Sequence, residues 1–332
     1  MKIAGPSPIF RVPNRRSEAA MVSYDPFSED VMRDPHPIYK QLRAEAPVYH
    51  IEEYDAWALS LFEDIWNASM DNEHYSAAKG TTSAHLLTKV QPVTPMINLM
   101  DPPQHTVLRS QVRKHFSPQA LRNLEPTIRE IATGCLDAAM EKGEIDMMGE
   151  FASQVSVKVA CIVTGIPLED GDRLNDLVWR FFKREPGIDG MTPDGLKAME
   201  ELFAYFISLS QTRRKSGGDR DDVVNLLNEI EIDGAKLDDY SIASHLSMFI
   251  IGGSETLPKV FANGIRRLWE HPDQRAQCAA DPALIPNAFQ EILRYDMPTQ
   301  FLCRSVINDV EIRGKTLKVG QPVLFLYPSA NR

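Results

Sequence analysis

The chain of 332 residues carries 46 acidic and 36 basic side chains, a net charge of -10 with the two signs interspersed. That pattern excludes the continuous basic stripe of a nucleic-acid binder. Its four cysteines, Cys135, Cys161, Cys278 and Cys303, are scattered with no CxxC pair, which speaks against a zinc site or a disulfide framework and fits plain packing residues in a reducing compartment. The N-terminal stretch, with Arg11, Arg15 and Arg16, holds no apolar run long enough for a signal peptide or an anchor, so a cytoplasmic protein with no membrane partner is expected.

In chain order, a first amphipathic helix is predicted over Pro37 to Glu45. Val48 to Leu61, alternating around the acidic turn Glu52 to Asp55, predicts a hairpin that leads into a helix from Phe62. Ser76 to Pro95 follows neither period and reads as a long loop, a form often used for binding. Further helices are predicted over about 105–115, 123–142, 150–165, 168–183, 193–214, 222–230, 239–270 and 283–295. The polar stretch Arg213 to Asp222 reads as an exposed loop, and no linker or repeat divides the chain. Short strands are predicted over Val306 to Ile312, Lys315 to Val319 and Gln321 to Tyr327, giving a mainly α protein with a small β-sheet region.

Three constellations carry chemistry. The first is the long apolar helix from Ser241 to His271, interrupted by Gly252-Gly253-Ser254-Glu255-Thr256 and by Pro258. Each glycine costs about 1 kcal/mol relative to alanine, and Pro258 has no N–H for the Ser254 carbonyl, so several weak points meet on one turn. Thr256 can donate a hydroxyl proton there and Glu255 can relay protons from solvent; a kinked packing helix whose Glu255 pairs with a basic side chain explains the same residues. The second is Asp101-Pro102-Pro103-Gln104-His105, where a proline turn starts a helix with His105 and Arg109 on one face, suited to an anionic group or simply to solvent. The third is Glu291 with Arg294, followed by Arg304; a buried Glu291–Arg294 pair would set geometry, whereas a surface pair contributes little.

In this order the three constellations resemble the cytochrome P450 family of the soluble bacterial type, over residues 34–332, with residues 1–33 as a partly flexible N-terminal extension. Gly252 to Thr256 is similar to the (A/G)Gx(D/E)T oxygen-activation motif, Glu291 and Arg294 to ExxR, and His105 and Arg109 to the DPPxHxxxR segment; Arg304 falls on a third propionate contact. The resemblance implies a single P450 domain containing heme b, a monooxygenase that uses O2 and electrons from NAD(P)H through ferredoxin reductase and ferredoxin. It casts Glu255 and Thr256 as catalytic and His105, Arg109, Gly252, Gly253 and Arg304 as cofactor-binding. It places substrate contacts for a small hydrophobic molecule at Met248, Ile251, Gln300, Phe301 and Leu302, with Phe181 and Phe182 nearby.

The chain departs from the family at one point: no cysteine stands in the FxxGxxxCxG context of the iron ligand, which is expected beyond Arg332. The reading is therefore of a P450 fold incomplete at its C-terminus, a fragment that is inactive as it stands. The alternative is a non-catalytic P450-like helical scaffold that cannot ligate haem iron.

Overall fold

The computed structural model describes residues 22–90, 95–185, 191–217 and 220–332. Period-two and helical patterning settle into two parts, a β-rich end built from segments far apart in the chain and a helical body between them. The first part opens with α1 (Glu29–Arg33), α2 (His36–Glu45), β1 (Val48–Ile51), β2 (Ala56–Leu59), α3 (Phe62–Met70), β3 (Tyr75–Ser76) and α4 (Ser83–Leu86). The body follows with α5 (Gln104–Val112), α6 (Pro118–Lys142), α7 (Ser153–Thr164), α8 (Gly171–Phe182), α9 (Pro193–Ser216) and α10 (Val223–Glu229). A small hairpin, β4 (Glu231–Ile232) and β5 (Ala235–Lys236), leads to α11 (Asp239–Ser254), α12 (Thr256–Glu270), α13 (Pro272–Ala280) and α14 (Ile285–Tyr295). The chain returns to the β-rich end with β6 (Leu302–Val306), β7 (Val310–Ile312), β8 (Lys315–Leu317), β9 (Pro322–Phe325) and α15 (Tyr327–Ala330).

The main sheet runs in the order β1-β2-β9-β6-β3. Its β2–β9 pair is parallel, with Trp57 opposite Val323, while β9 and β6 are antiparallel, with Leu302 opposite Phe325. The register places Arg304 opposite Val323, which fixes where that cation leaves the sheet. Burial follows the same division. Leu108, Val157, Leu202, Phe206, Leu246 and Ile250 belong to the helical core, whereas Tyr24, Tyr39, Leu42, Cys303 and Leu324 form one core at the β-rich end.

Local chemistry sets the element ends. The Asp238 carboxylate accepts from the Ser241 N–H at 2.7 Å and starts α11, and α7 stops at Gly165, whose φ of +84° few other residues tolerate. Several boundaries correct the sequence reading. Ser76 to Pro95 is not a plain loop, because Ser76 pairs with Ser305 at the sheet edge and Leu86 and Leu87 of the α4 segment reach the core; residues 91–94 lie outside the described residues. Arg213 to Ser216 belong to α9, where Arg213 is held by an ion pair to Asp222 at 2.8 Å. The C-terminal strands are expected from Val306, whereas β6 already begins at Leu302; Asn308-Asp309, read in the sequence as a separator, divides the end of β6 from β7, which belongs to a separate sheet. The helix predicted over 239–270 is two helices, and α13 escaped the sequence pattern. Of the predicted N-terminal extension, residues 1–21 lie outside the described residues, while Tyr24 is buried against Tyr39.

Candidate active site

The helix predicted to be strained breaks at one residue. α11 ends at Ser254, Glu255 takes φ -108° and ψ -52°, and α12 begins at Thr256 with Pro258 buried in its first turn. The Ser254 hydroxyl turns back to the Ile250 carbonyl at 2.6 Å, a local bond that competes with regular helix geometry. Thr256 Oγ1 donates to Glu255 Oε2 at 3.1 Å, so a hydroxyl and a carboxylate are joined at the break. The Glu255 carboxylate also pairs with Lys259 one turn on. The basic partner required by the packing account is therefore present, and so is the hydroxyl–carboxylate contact required by the proton-relay account. Neither ion is sealed from water: the Glu255 side chain is 15% and the Lys259 side chain 36% exposed.

The two glycines before the break face different surroundings. A Cβ on Gly252 would meet only the tip of Met248, at 3.7 Å, so this residue leaves space on the exposed side of the helix. A Cβ on Gly253 would lie 2.5 Å from the Ala160 Cβ of α7, so this residue is what lets the two helices approach. Gly253 packs, and Gly252 leaves room.

A second group of residues gathers around the start of α5. His105 is half-buried, and its imidazole is held below the ordinary histidine range by burial first and by Arg109 second, with Asp101 opposing and Arg304 adding to the effect. Side chains from α5 and β6 thus share one electrostatic neighbourhood. Arg304 donates to the Cys303 carbonyl at 2.9 Å and lies 5.9 Å from the Phe325 ring. Among the described residues no carboxylate forms an ion pair with Arg109 or Arg304, and Asp101 is engaged by the Ser76 hydroxyl and by the Ala77 N–H at 2.9 Å. Two guanidinium groups and an imidazole with no paired anion suit a ligand bearing carboxylates.

Glu291 and Arg294 do not join this centre. Their pair is bidentate, with contacts of 2.6 and 2.7 Å, but the side chains are 56% and 44% exposed, which corrects the buried alternative. No residue of α14 is fully buried. Arg294 still reaches the Asn331 carbonyl, and Asn331 Nδ2 donates to the Arg294 carbonyl at 3.2 Å.

The proposed substrate contacts divide in two. Met248 and Ile251 are half-buried on α11 within one or two turns of the break and pack against the helical core. Gln300 accepts from the Tyr39 hydroxyl at 3.2 Å, Phe301 packs against the core at the β-rich end, and Leu302 opens β6, so these three belong to the sheet side. Phe181 and Phe182 meet edge to face, 4.8 Å apart, at the end of α8.

Among the described residues no cluster of three or more His, Cys, Asp or Glu side chains could hold a metal ion. Cys303 is fully buried beside Tyr24, Tyr39, Leu42 and Leu324, and burial pushes its thiol up to about 12. It alternates with Arg304 along β6 and so faces the other side of the sheet. Cys161 is also fully buried, with its thiol likewise at about 12, while Cys135 and Cys278 are half-buried on α6 and α13. His105, Arg109 and Arg304 suit a ligand with carboxylates, whereas the burial of Cys303 and Cys161 does not suit a metal-bound thiolate.

Sequence reasoning missed one residue at the break. The hydroxyl of Ser156 on α7 donates to the Gly253 carbonyl, 97 positions away in the chain. No motif or spacing could signal it, since only the packing of α7 on α11 brings the two together.

No protein-family model matches the chain. The chain is 34% identical over 315 residues to the vitamin D(3) 25-hydroxylase of Pseudonocardia autotrophica, an alignment that covers 93% of this chain and 76% of that protein. It is 31% identical over 307 residues to cytochrome P450 130 of Mycobacterium tuberculosis, covering 90% and 75% respectively. Among solved structures it superposes on CalO2 with a TM-score of 0.80 at 29% identity, covering 94% of this chain and 79% of that one.

Proposed function

The chain belongs to the cytochrome P450 family, and from that premise we propose that its residues form the oxygen-side and propionate-holding part of a haem monooxygenase acting on a small apolar molecule. The observation that carries this reading is the Thr256 hydroxyl on the Glu255 carboxylate, at a helix break whose neighbour Gly252 leaves open space. His105, Arg109 and Arg304 would hold the propionates of heme b. Bound haem supplies the activation of O2 and the insertion of one oxygen atom, the other leaving as water.

This chain contributes the rest. Glu255, partly exposed, exchanges protons with solvent and passes them to Thr256, whose hydroxyl both donates and accepts at the open side of the break. Lys259 keeps the carboxylate in place. Met248 and Ile251 present apolar surface near the break, and Gln300, Phe301 and Leu302 approach from the sheet side, which favours a hydrophobic substrate. The name of the 34% identical vitamin D(3) hydroxylase agrees with an apolar substrate class. Electrons would come from NAD(P)H through ferredoxin reductase and ferredoxin. No described helix is long and apolar enough to cross a membrane, and a cytoplasmic location is proposed.

One observation favours a second reading, a haemless scaffold: the burial that makes Cys303 and Cys161 unfit as thiolates. Haemin titration separates the two. For the first reading, Arg109→Ala and Arg304→Ala each weaken haemin binding by about tenfold, the worth of one charge-assisted contact. Equal affinity in wild type and both variants contradicts the propionate assignment.

A further inference from the structure

Helix breaks leave carbonyls without partners, and these are normally satisfied by some other group. At this break the Gly253 carbonyl would ordinarily accept from the Leu257 N–H, one of the first amides of α12. Instead the Ser156 hydroxyl, on a residue only 5% exposed, reaches it from α7. The approach depends on Gly253 having no side chain, because a Cβ there would collide with Ala160, one turn after Ser156 on α7. The absence of a side chain at Gly253 and the presence of a hydroxyl at Ser156 are thus two parts of one contact.

We propose that Ser156 is a positioning residue that keeps the oxygen-side turn open by occupying the Gly253 carbonyl, an inference that rests on the P450 reading for its functional consequence alone. Without the hydroxyl, the Gly253 carbonyl is free to return to the Leu257 N–H, which tightens the turn as far as Pro258, with no N–H for the Ser254 carbonyl, allows. A threonine within a continuous helix commonly turns its hydroxyl to the carbonyl three or four residues back. Thr256 would then leave Glu255, and the relay would lose its inner member. Ser156 touches neither Thr256 nor Glu255 in any hydrogen bond of the described residues; its effect passes through the backbone of one turn.

The test compares amide hydrogen exchange in the full chain of wild type, Ser156→Ala, Ser156→Thr and Ser153→Ala. Ser153 is the control because its buried hydroxyl, one turn earlier on α7, has no partner among the described residues. In Ser156→Ala the Leu257 amide is expected to exchange about fivefold more slowly, as one added helical hydrogen bond implies. Ser156→Thr should restore the wild-type rate and Ser153→Ala should leave it unchanged. An unaltered Leu257 rate in Ser156→Ala, or slowing that Ser156→Thr fails to reverse, overturns the proposal. Haemin titration judges the P450 reading on its own, and the exchange pattern judges Ser156 whichever way that titration falls.

Discussion

α11 and α14 both carry a sequence motif, and the structure treats them differently. α11 buries Ile242, Ala243, Leu246 and Ile250 together with His245, and its break is held by contacts to α7. α14 has no fully buried residue, and its Glu291–Arg294 pair is half-exposed despite two-pronged geometry. A motif fixes which side chains can meet; packing decides how firmly they are held. In α11 the irregular turn is enclosed by neighbours, so its geometry is specified. In α14 the pair is screened by water and adds little.

The largest expected effect probes the enclosed side. Burial holds the His245 imidazole at about 4, below its ordinary value of 6.5, and its Nδ1 has no partner among the described residues. The unfolded chain therefore binds the proton first, so this contribution to stability is complete above pH 6.5 and is lost as pH falls from 6.5 toward 4. The loss should approach about 3 kcal/mol, measured by denaturant unfolding across that range, and His245→Leu should remove most of it. A flat profile would show that α11 is not enclosed as described.

A smaller effect separates the two glycines. Gly253→Ala should destabilise by about 2 kcal/mol, because α7 must move away from the new methyl group. Gly252→Ala, which meets only ordinary contact, should stabilise by about 0.5 kcal/mol through helix propensity. Thermal unfolding of the two variants checks the contrast, and equal shifts would erase the distinction between the packing and the open glycine. The smallest effect is at α14: Arg294→Ala should cost about 0.5 kcal/mol, and a loss of several kcal/mol would mean that the pair is more than a surface contact.

Much of this was legible in the sequence. The position of the helix break followed from two glycines and a proline that no regular helix favours, and the mainly α architecture followed from repeated helical periodicity. Asp238, directly before the helix predicted from 239, is of a residue type that caps helix starts. The hairpin from Val48 to Leu59 was readable because one acidic turn separates two short alternating runs. What escaped depends on distant partners. The division of labour between Gly252 and Gly253 appears only when Ala160 is placed beside one of them, and Ser156 has no local signature. Exposure of the Glu291–Arg294 pair was equally unreadable, since an i, i+3 pair looks the same in sequence whether or not something covers it. The start of β6 was missed because Arg304 and Ser305 interrupt the apolar pattern of Leu302 to Val306.

The account assigns this chain the oxygen side of a haem site and assigns all four cysteines to packing. Its most direct test is the carbon monoxide spectrum of the 332-residue protein after reconstitution with haemin and reduction. The account predicts no red-shifted Soret band of a thiolate-ligated haem, and the same spectrum from Cys303→Ala. A thiolate band in the wild type that vanishes in Cys303→Ala would contradict it.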